Sequence, residues 1–369
     1  VKCWGIDYYG ELGKGFKDGA VGDQHGEMGD SLPFIDFGGN GRVVDIGMEK
    51  YAVCVVFESS KLKCFGLGST ARLGMGDNEN RYDASYLKNE NSSSFVQLGT
   101  NALGERHGVV KIETMQNRRA SCVLLVDQTV KCWGWSSGGS LGIGDGYTRG
   151  DDPNEMGDYL PTINFGTETR VLNLWTASAR DTALSCVLLN TGDVKCWGGC
   201  VNYLCGWEDS HNKKTIGDQH TDMGDNLRAV KIPEGRTVIS MSICDHSVAL
   251  LDDGSVLCWG DTSFGRCATG GVTDTYGGHP FDVGVNISYV DIGTNIYAKA
   301  ISLKGPAICA VLSTDQIKCW GPWIGGGSNY ANNNGDAPYE MGDNLPTVDL
   351  GTTPLMSYAG VGQQPTCGI

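Results

Sequence analysis

Apolar and polar positions alternate along this chain in runs of about four to six residues, and most runs end at a glycine. Val43-Val44-Asp45-Ile46-Gly47 and Tyr289-Val290-Asp291-Ile292-Gly293 show the alternation directly. Phe34-Ile35-Asp36-Phe37-Gly38, Thr162-Ile163-Asn164-Phe165-Gly166 and Thr347-Val348-Asp349-Leu350-Gly351 are versions that close on Gly. Nothing sustains a 3.6-residue period over a helical length. The pattern therefore predicts short strands joined by glycine turns in an antiparallel meander.

One strand is written six times. Val1-Lys2-Cys3-Trp4-Gly5, Leu62-Lys63-Cys64-Phe65-Gly66, Val130-Lys131-Cys132-Trp133-Gly134, Val194-Lys195-Cys196-Trp197-Gly198, Val256-Leu257-Cys258-Trp259-Gly260 and Ile317-Lys318-Cys319-Trp320-Gly321 share one design. Their cysteines step by 61, 68, 64, 62 and 61 residues. Near-constant spacing marks a repeat architecture, and four short strands per repeat predict a propeller blade. The expected fold is all-β: one β-propeller domain over 1–369, with repeats near 3–63, 64–131, 132–195, 196–257, 258–318 and 319–369, and residues 1–5 closing the last blade.

Ten residues separate Cys54 from Cys64, Cys122 from Cys132, Cys186 from Cys196, and Cys309 from Cys319. A turn at the midpoint, with Gly192 near its end in the third pair, sets the two cysteines opposite each other on one sheet face. Each pair is expected to form a cross-strand disulfide. Pro365-Thr366-Cys367-Gly368 reads as the first arm of a hairpin whose second arm is Val1-Lys2-Cys3-Trp4, so Cys3 is expected to bond Cys367 and close a ring of six blades. A seventh blade would need sequence beyond either end. The fifth repeat breaks the rule, because Val248 stands where Cys258 should find its partner. Cys200 and Cys205 share a loop and are expected to pair. Cys244 is assigned to Cys267, and the odd total of 15 cysteines leaves one over.

Persistent disulfides need an oxidising compartment, so the cysteine spacing predicts an extracellular or cell-surface protein. Asn91-Ser92-Ser93 and Asn286-Ile287-Ser288 are glycosylation sequons outside the core hairpins. The chain begins at Val1, as expected of a processed or trimmed form. Gly is heavily used, at 55 of 369 residues, which suits strands and turns rather than helices. A formal net charge of −15 repels phosphate, which argues against nucleic acid and anionic membranes as partners. No run approaches the roughly 18 apolar residues of a membrane-spanning helix.

Trp-Gly followed by a Leu-Gly loop, a strand and a cysteine-bearing hairpin resembles the regulator of chromosome condensation repeat. Gly10-Glu11-Leu12-Gly13, Arg72-Leu73-Gly74 and Ser140-Leu141-Gly142 carry the Leu-Gly element. The fourth, fifth and sixth repeats have Leu204-Cys205-Gly206, Arg266-Cys267 and Gly325-Gly326-Gly327 in its place. The resemblance spans essentially the whole chain and implies a β-propeller, usually of seven blades, so six is a departure. The founding member's nucleotide-exchange activity is not carried over. No residue matches an exchange site, and an acidic, disulfide-rich chain suits neither a nucleus nor a DNA partner.

The most suggestive constellation places three acidic residues within eight positions, around Met-Gly-Asp. It comprises Asp23, Glu27 and Asp30; Asp151, Glu155 and Asp158; Asp218, Asp222 and Asp225; and Asp336, Glu340 and Asp343. Such sets could supply hard oxygen ligands for Ca²⁺, the one cofactor considered. The spacing is not that of an EF-hand, and the other reading is a structural turn whose Met fills the space between blades. The first, third, fourth and sixth repeats carry the motif, an order that hints at a duplicated triplet.

The recurring Trp4, Trp133, Trp197, Trp259 and Trp320 are expected as core wedges. Trp135, Trp175, Trp207 and Trp323 fall off the repeat and are candidate partner anchors. The recurring lysines are expected on a blade face or channel near carboxylates. The six histidines show no metal spacing, and no nucleophile elbow occurs, so no catalytic residue is assigned. The expected function is a non-enzymatic extracellular propeller for protein–protein interaction or assembly with neighbouring copies, presenting 77–98, 199–216 and 268–285. The alternatives are a secreted inhibitor or capture propeller and, last, a guanine-nucleotide exchange factor.

Overall fold

The computed structural model describes residues 1–15, 19–115, 118–179, 182–207, 215–268, 289–303, 307–322 and 334–348, with the strand backbones of 359–361 and 366–368. Described residues are almost entirely strand and turn, with one five-residue α-helix, Ala84–Lys88, and several single 3₁₀ turns. No helix among them is long and apolar enough to cross a membrane. The chain forms two compact units, residues 1–176 with 217–226, and residues 177–216 with 227–369.

The first unit holds two three-stranded antiparallel sheets. Val43–Met48, Ala52–Phe57 and Leu62–Gly66 form one, and Val109–Met115, Ala120–Leu125 and Val130–Gly134 form the other. Gly5–Ile6 pairs with Ala20–Val21 in a short ribbon. In the second unit Val194–Gly198 pairs with Thr182–Leu189 on one side and Ala229–Val230 on the other. Two further sheets follow there, Val238–Ile243 with His246–Leu251 and Val256–Gly260, and Ala298–Leu303 with Ile308–Leu312 and Ile317–Trp320. Ala359–Val361 pairs with Thr366–Gly368.

The middle strands of the sheets are largely apolar, and in Ala52-Val-Cys-Val-Val-Phe57 all six residues are buried. Both faces of the sheet are covered, which is why the strand shows no period of two. In the first unit, one core joins Ala52, Val56 and Leu62 to Val109, Val123 and Trp133, so sheets of successive repeats pack on each other. The first strand of four sheets slips register by one residue, at Val43/Asp45, Val109/Lys111, Val238/Ser240 and Ala298/Ala300. A bulge of this kind leaves one residue unpaired. Val44, Val110 and Ile239 are the bulged residues in three of the sheets, and each is exposed.

Register fixes the cysteines. Cys54 faces Cys64, Cys122 faces Cys132, Cys186 faces Cys196 and Cys309 faces Cys319, directly across the strand pair. Their Cα atoms are 4.0 to 4.1 Å apart, close to the spacing of a non-hydrogen-bonded antiparallel pair, and all four pairs are disulfide-bonded. Cys200 bonds Cys205 within its loop.

The fifth repeat corrects one assignment. Cys267 bonds Cys258, not Cys244. Val248 occupies the position opposite Cys258, and the tight Ser263–Gly265 turn returns the chain so that Cys267 comes within 5.3 Å, Cα to Cα. Cys244 lies at the end of the hairpin, where its N–H donates to the His246 carbonyl. Cys3 bonds no described cysteine, and the side chain of Cys367, its expected partner, lies outside the described residues.

Candidate interaction surface

Three of the recurring tryptophans donate across repeats. The Trp133 indole N–H donates to the Arg72 carbonyl at 3.2 Å, Trp259 to Leu204 at 3.1 Å and Trp320 to Arg266 at 3.2 Å. In every case the acceptor sits in the loop of the preceding repeat, so one ring fills core space and ties two repeats together. Trp133, Trp197, Trp259 and Trp320 are fully buried, as wedges should be, whereas Trp4 is 63% exposed.

The recurring lysines meet part of their expectation: Lys131 and Lys318 stand near the carboxylates of Asp158 and Asp343, but inside the protein rather than on a face or channel. Lys63, Lys131, Lys195 and Lys318 are buried. The Lys131 ammonium donates to the carbonyls of Leu98 and Gly157, Lys318 to those of Ile292 and Gly342, and Lys63 to those of Tyr86, Leu87 and Asn89. Burial pushes the Lys63 ammonium down to about 8. The acceptors are backbone carbonyls, because the strand directs each lysine into a turn whose carbonyls have no strand partner.

The acidic constellations bring two carboxyls together in the first and third repeats, Asp23 with Glu27 and Asp151 with Glu155. Glu155 accepts the N–H groups of Gly150, Asp151 and Asp152, and Glu340 those of Gly335, Asp336 and Ala337. Glu27 takes Gly22 and Gln24, and Asp222 takes Gly217 and Gln219. The last carboxylate of the motif reaches back one repeat: Asp158 accepts from the N–H and hydroxyl of Thr100, Asp225 from Thr167 and Asp343 from Thr294. These bonds hold the carboxyls of Glu27, Asp158 and Asp343 below their ordinary range. Asp23 and Asp30 are exposed on the first of the loops, and Asp151, Asp218 and Asp336 open the other three. Among the described residues no group of three His, Cys, Asp or Glu side chains is placed to hold a metal ion. Glu27, Glu155, Asp222 and Glu340 thus brace their own turns, and Asp158, Asp225 and Asp343 tie each turn to a threonine of the preceding repeat.

A different cluster gathers at one loop end of the first unit. Glu49 lies in the turn after Val43–Met48, and its carboxylate is 2.8 Å from the Arg72 guanidinium, both side chains nearly inaccessible. Burial pushes Glu49 up to about 7 against the pull of Arg72 and Arg119. Tyr51 packs beside them, its ring edge-on to Tyr9 at 5.2 Å and to Tyr8 at 6.4 Å. Lys50 and Arg72 approach the Tyr51 ring, and Arg119 stands 5.6 Å from that of Trp135. Tyr8 is 60% exposed and Trp135 38%. The result is an aromatic and cationic surface braced by the buried Glu49–Arg72 contact, on a strongly acidic chain.

The second unit repeats part of this arrangement. Arg266, at the place Arg72 holds in its own repeat, pairs with buried Asp261 at 2.5 Å and lies 5.7 Å from the ring of exposed Phe264. Beside it, His246 is wholly buried with neither ring nitrogen hydrogen-bonded. Burial and Arg266 push it down to about 3.

Residues 245–266 match the Regulator of chromosome condensation (RCC1) repeat. The fold aligns with human WBSCR16 over 99% of this chain and 85% of that one, with a TM-score of 0.66 at 15% identity. It aligns with yeast RCC1 (Prp20), solved bound to Kap60, over 100% and 76%, with a TM-score of 0.61 at 17% identity. The fold is that of a β-propeller like RCC1, and one stretch of the chain carries the RCC1 repeat pattern.

The matched repeat is the one whose hairpin lacks the cross-strand cysteines, with Val248 opposite Cys258. Of the proposed anchors in this propeller, Trp135 is at the aromatic surface, while Trp175 and Trp207 are buried. Trp323 and Asn286 lie outside the described residues. Asn91 is exposed at the start of the Ser92–Ser94 turn. Sequence reading missed Glu49, Arg72, Arg119 and Tyr51. The only signal was the Arg-Leu-Gly and Arg-Cys pair at matching places in the second and fifth repeats.

Proposed function

We propose that this RCC1-like propeller is a non-enzymatic module that acts outside the cell or at its surface, binding protein partners or neighbouring copies of its own chain. The observation that carries the reading is the disulfide repeated at one place in four sheets, Cys54–Cys64, Cys122–Cys132, Cys186–Cys196 and Cys309–Cys319. Such bonds persist where thiols are not kept reduced. The Tyr8, Tyr51, Arg119 and Trp135 surface supports a protein partner, since Tyr, Trp and Arg dominate binding hot spots. Yeast RCC1, of the same fold, was solved bound to the protein Kap60. A glycan at Asn91 belongs to the same reading.

Thiol alkylation of protein taken from its native source, with and without prior reduction, tests the compartment. Labelling of Cys122 and Cys132 only after reduction is expected, and full labelling without reductant would overturn the reading. Alanine at both Tyr8 and Trp135 should weaken partner or self-association at least tenfold while leaving the fold intact. Unchanged association would remove this surface as the contact.

A further inference from the structure

The first unit contains a cleft of about 540 Å³ beside the Ser92–Ser94 turn. That volume lies within the range of sites that enclose small organic ligands, about 300–1,000 Å³. Its floor is apolar and buried, made by Leu62, Phe95, Val96, Leu98 and Val109. Its rim is polar, with the exposed side chains of Lys61, Glu90 and Arg106. Among the described residues neither Lys61 nor Arg106 forms an ion pair, although Lys61 lies 4.8 Å from the Phe95 ring.

Glu90 and Ser92 both line this cleft, and Asn91, the acceptor of the Asn91-Ser92-Ser93 sequon, stands between them. Asn91 occupies the N-cap position of the short turn in extended backbone, yet its side chain makes no capping hydrogen bond. An asparagine at such a position ordinarily spends its side chain on the turn's N–H groups. Here the carboxamide is exposed and uncommitted, as an oligosaccharide acceptor must be.

We infer that Asn91 carries an N-linked glycan and that the cleft beside it, floored by Phe95 and Val96 and rimmed by Lys61 and Arg106, seats the first N-acetylhexosamine units of that glycan. The chemistry is complementary. A hexosamine ring offers an apolar C–H face and an acetamido methyl to the floor, and hydroxyl and carbonyl oxygens to the two cations. Attachment forms the bond from the Asn91 side-chain nitrogen to the sugar's anomeric carbon, with the lipid-pyrophosphate of an activated oligosaccharide donor leaving and the amide proton lost to solvent. A covalently held sugar has a high effective concentration at the adjacent cleft, so weak contacts suffice to keep it there.

This inference rests on the extracellular reading, and the test separates the two. The full chain is secreted from a eukaryotic host and compared in three forms: intact, trimmed by an endoglycosidase to a single N-acetylglucosamine, and carrying Ser93→Ala. Ser93 does not line the cleft, so this change acts only by abolishing the sequon. Peptide mass mapping should find most Asn91 occupied in the intact form. Amide exchange across 97–109 should be several-fold slower in the intact and trimmed forms than in Ser93→Ala, and Ser93→Thr should restore the protection. A bare Asn91 in protein whose Cys122 and Cys132 are bonded would overturn the inference alone. So would an occupied Asn91 with equal exchange in all forms. Free thiols at Cys122 and Cys132 would instead overturn the extracellular reading.

Discussion

Five described hairpins close on a residue in left-handed backbone, and only two of them place a glycine there. Gly192 and Gly254 have φ of 88° and 79°, while Ser60, Gln128 and Asp315 take 58°, 65° and 61°. The two glycines are not equivalent. A Cβ on Gly192 would meet nothing within 4 Å, whereas one on Gly254 would lie 2.7 Å from the Tyr297 Cβ and 2.9 Å from the Ala298 oxygen. Gly192→Ala should therefore cost only the left-handed penalty, about 1 kcal/mol. Gly254→Ala should cost about 2–3 kcal/mol, because a clash adds to it. Urea denaturation of the two variants checks the ranking, and equal losses would contradict it. Glu49 makes a second residue-scale prediction. Its folded carboxyl is pushed up from 4.5 to about 7, so the native state holds a proton that the unfolded chain releases. The stability contributed this way is complete below about pH 4.5 and falls as pH rises toward 7. Comparing melting curves from pH 4.5 to 7.5, Glu49→Gln should show a shallower decline than the parent.

The hairpin staple is the element whose energetics the repeat itself brackets, since the fifth repeat folds the same hairpin with Val248 opposite Cys258. Closing a ten-residue loop restricts the unfolded chain by about 2–3 kcal/mol, and two valines recover part of that through packing. Cys122→Val with Cys132→Val should thus lower stability by about 1–2 kcal/mol without abolishing the fold. Retention of a cooperative melt, with a lower midpoint, is the expected result. This element was legible in the sequence because a cross-strand pair turns register into a fixed spacing, ten residues in four hairpins. The Cys258–Cys267 bond was not legible. It depends on the left-handed Phe264, with φ of 59°, inside the Ser263–Gly265 turn, which no spacing rule announces. The hydrogen bonds of the acidic loops were not legible for a related reason. Carboxylates four and three positions apart look like a ligand set, but the donors that claim them are backbone N–H groups and threonines of another repeat, which a string of letters does not place nearby.

Across the whole molecule the repeat was readable and the candidate interaction surface was not. Tyr8, Glu49, Arg72, Arg119 and Trp135 come from five separate stretches of chain, each unremarkable alone, and only the packing of successive repeats assembles them. A net charge of −15 would by itself suggest a cation-binding protein, which makes calcium the sharpest test of what the acidic loops do. At 10 mM Ca²⁺ the ion would be about tenfold or more above the dissociation constant of an extracellular calcium site, about 10⁻⁴ to 10⁻³ M. Each such site would then stabilise the fold by about 1.4 kcal/mol or more, and four loops would raise the melting temperature by several degrees. The geometry argues otherwise. Glu155 and Glu340 each already accept three N–H groups, Asp158, Asp225 and Asp343 already hold threonines, and a cation would have to displace those bonds before gaining its own. Calorimetry with 10 mM Ca²⁺ against a chelator, at matched ionic strength, should give melting temperatures within about 1 °C of each other. A rise of several degrees, lost on Glu155→Gln, would return these loops to metal binding and leave the hydrogen bonds as the apo form of a site.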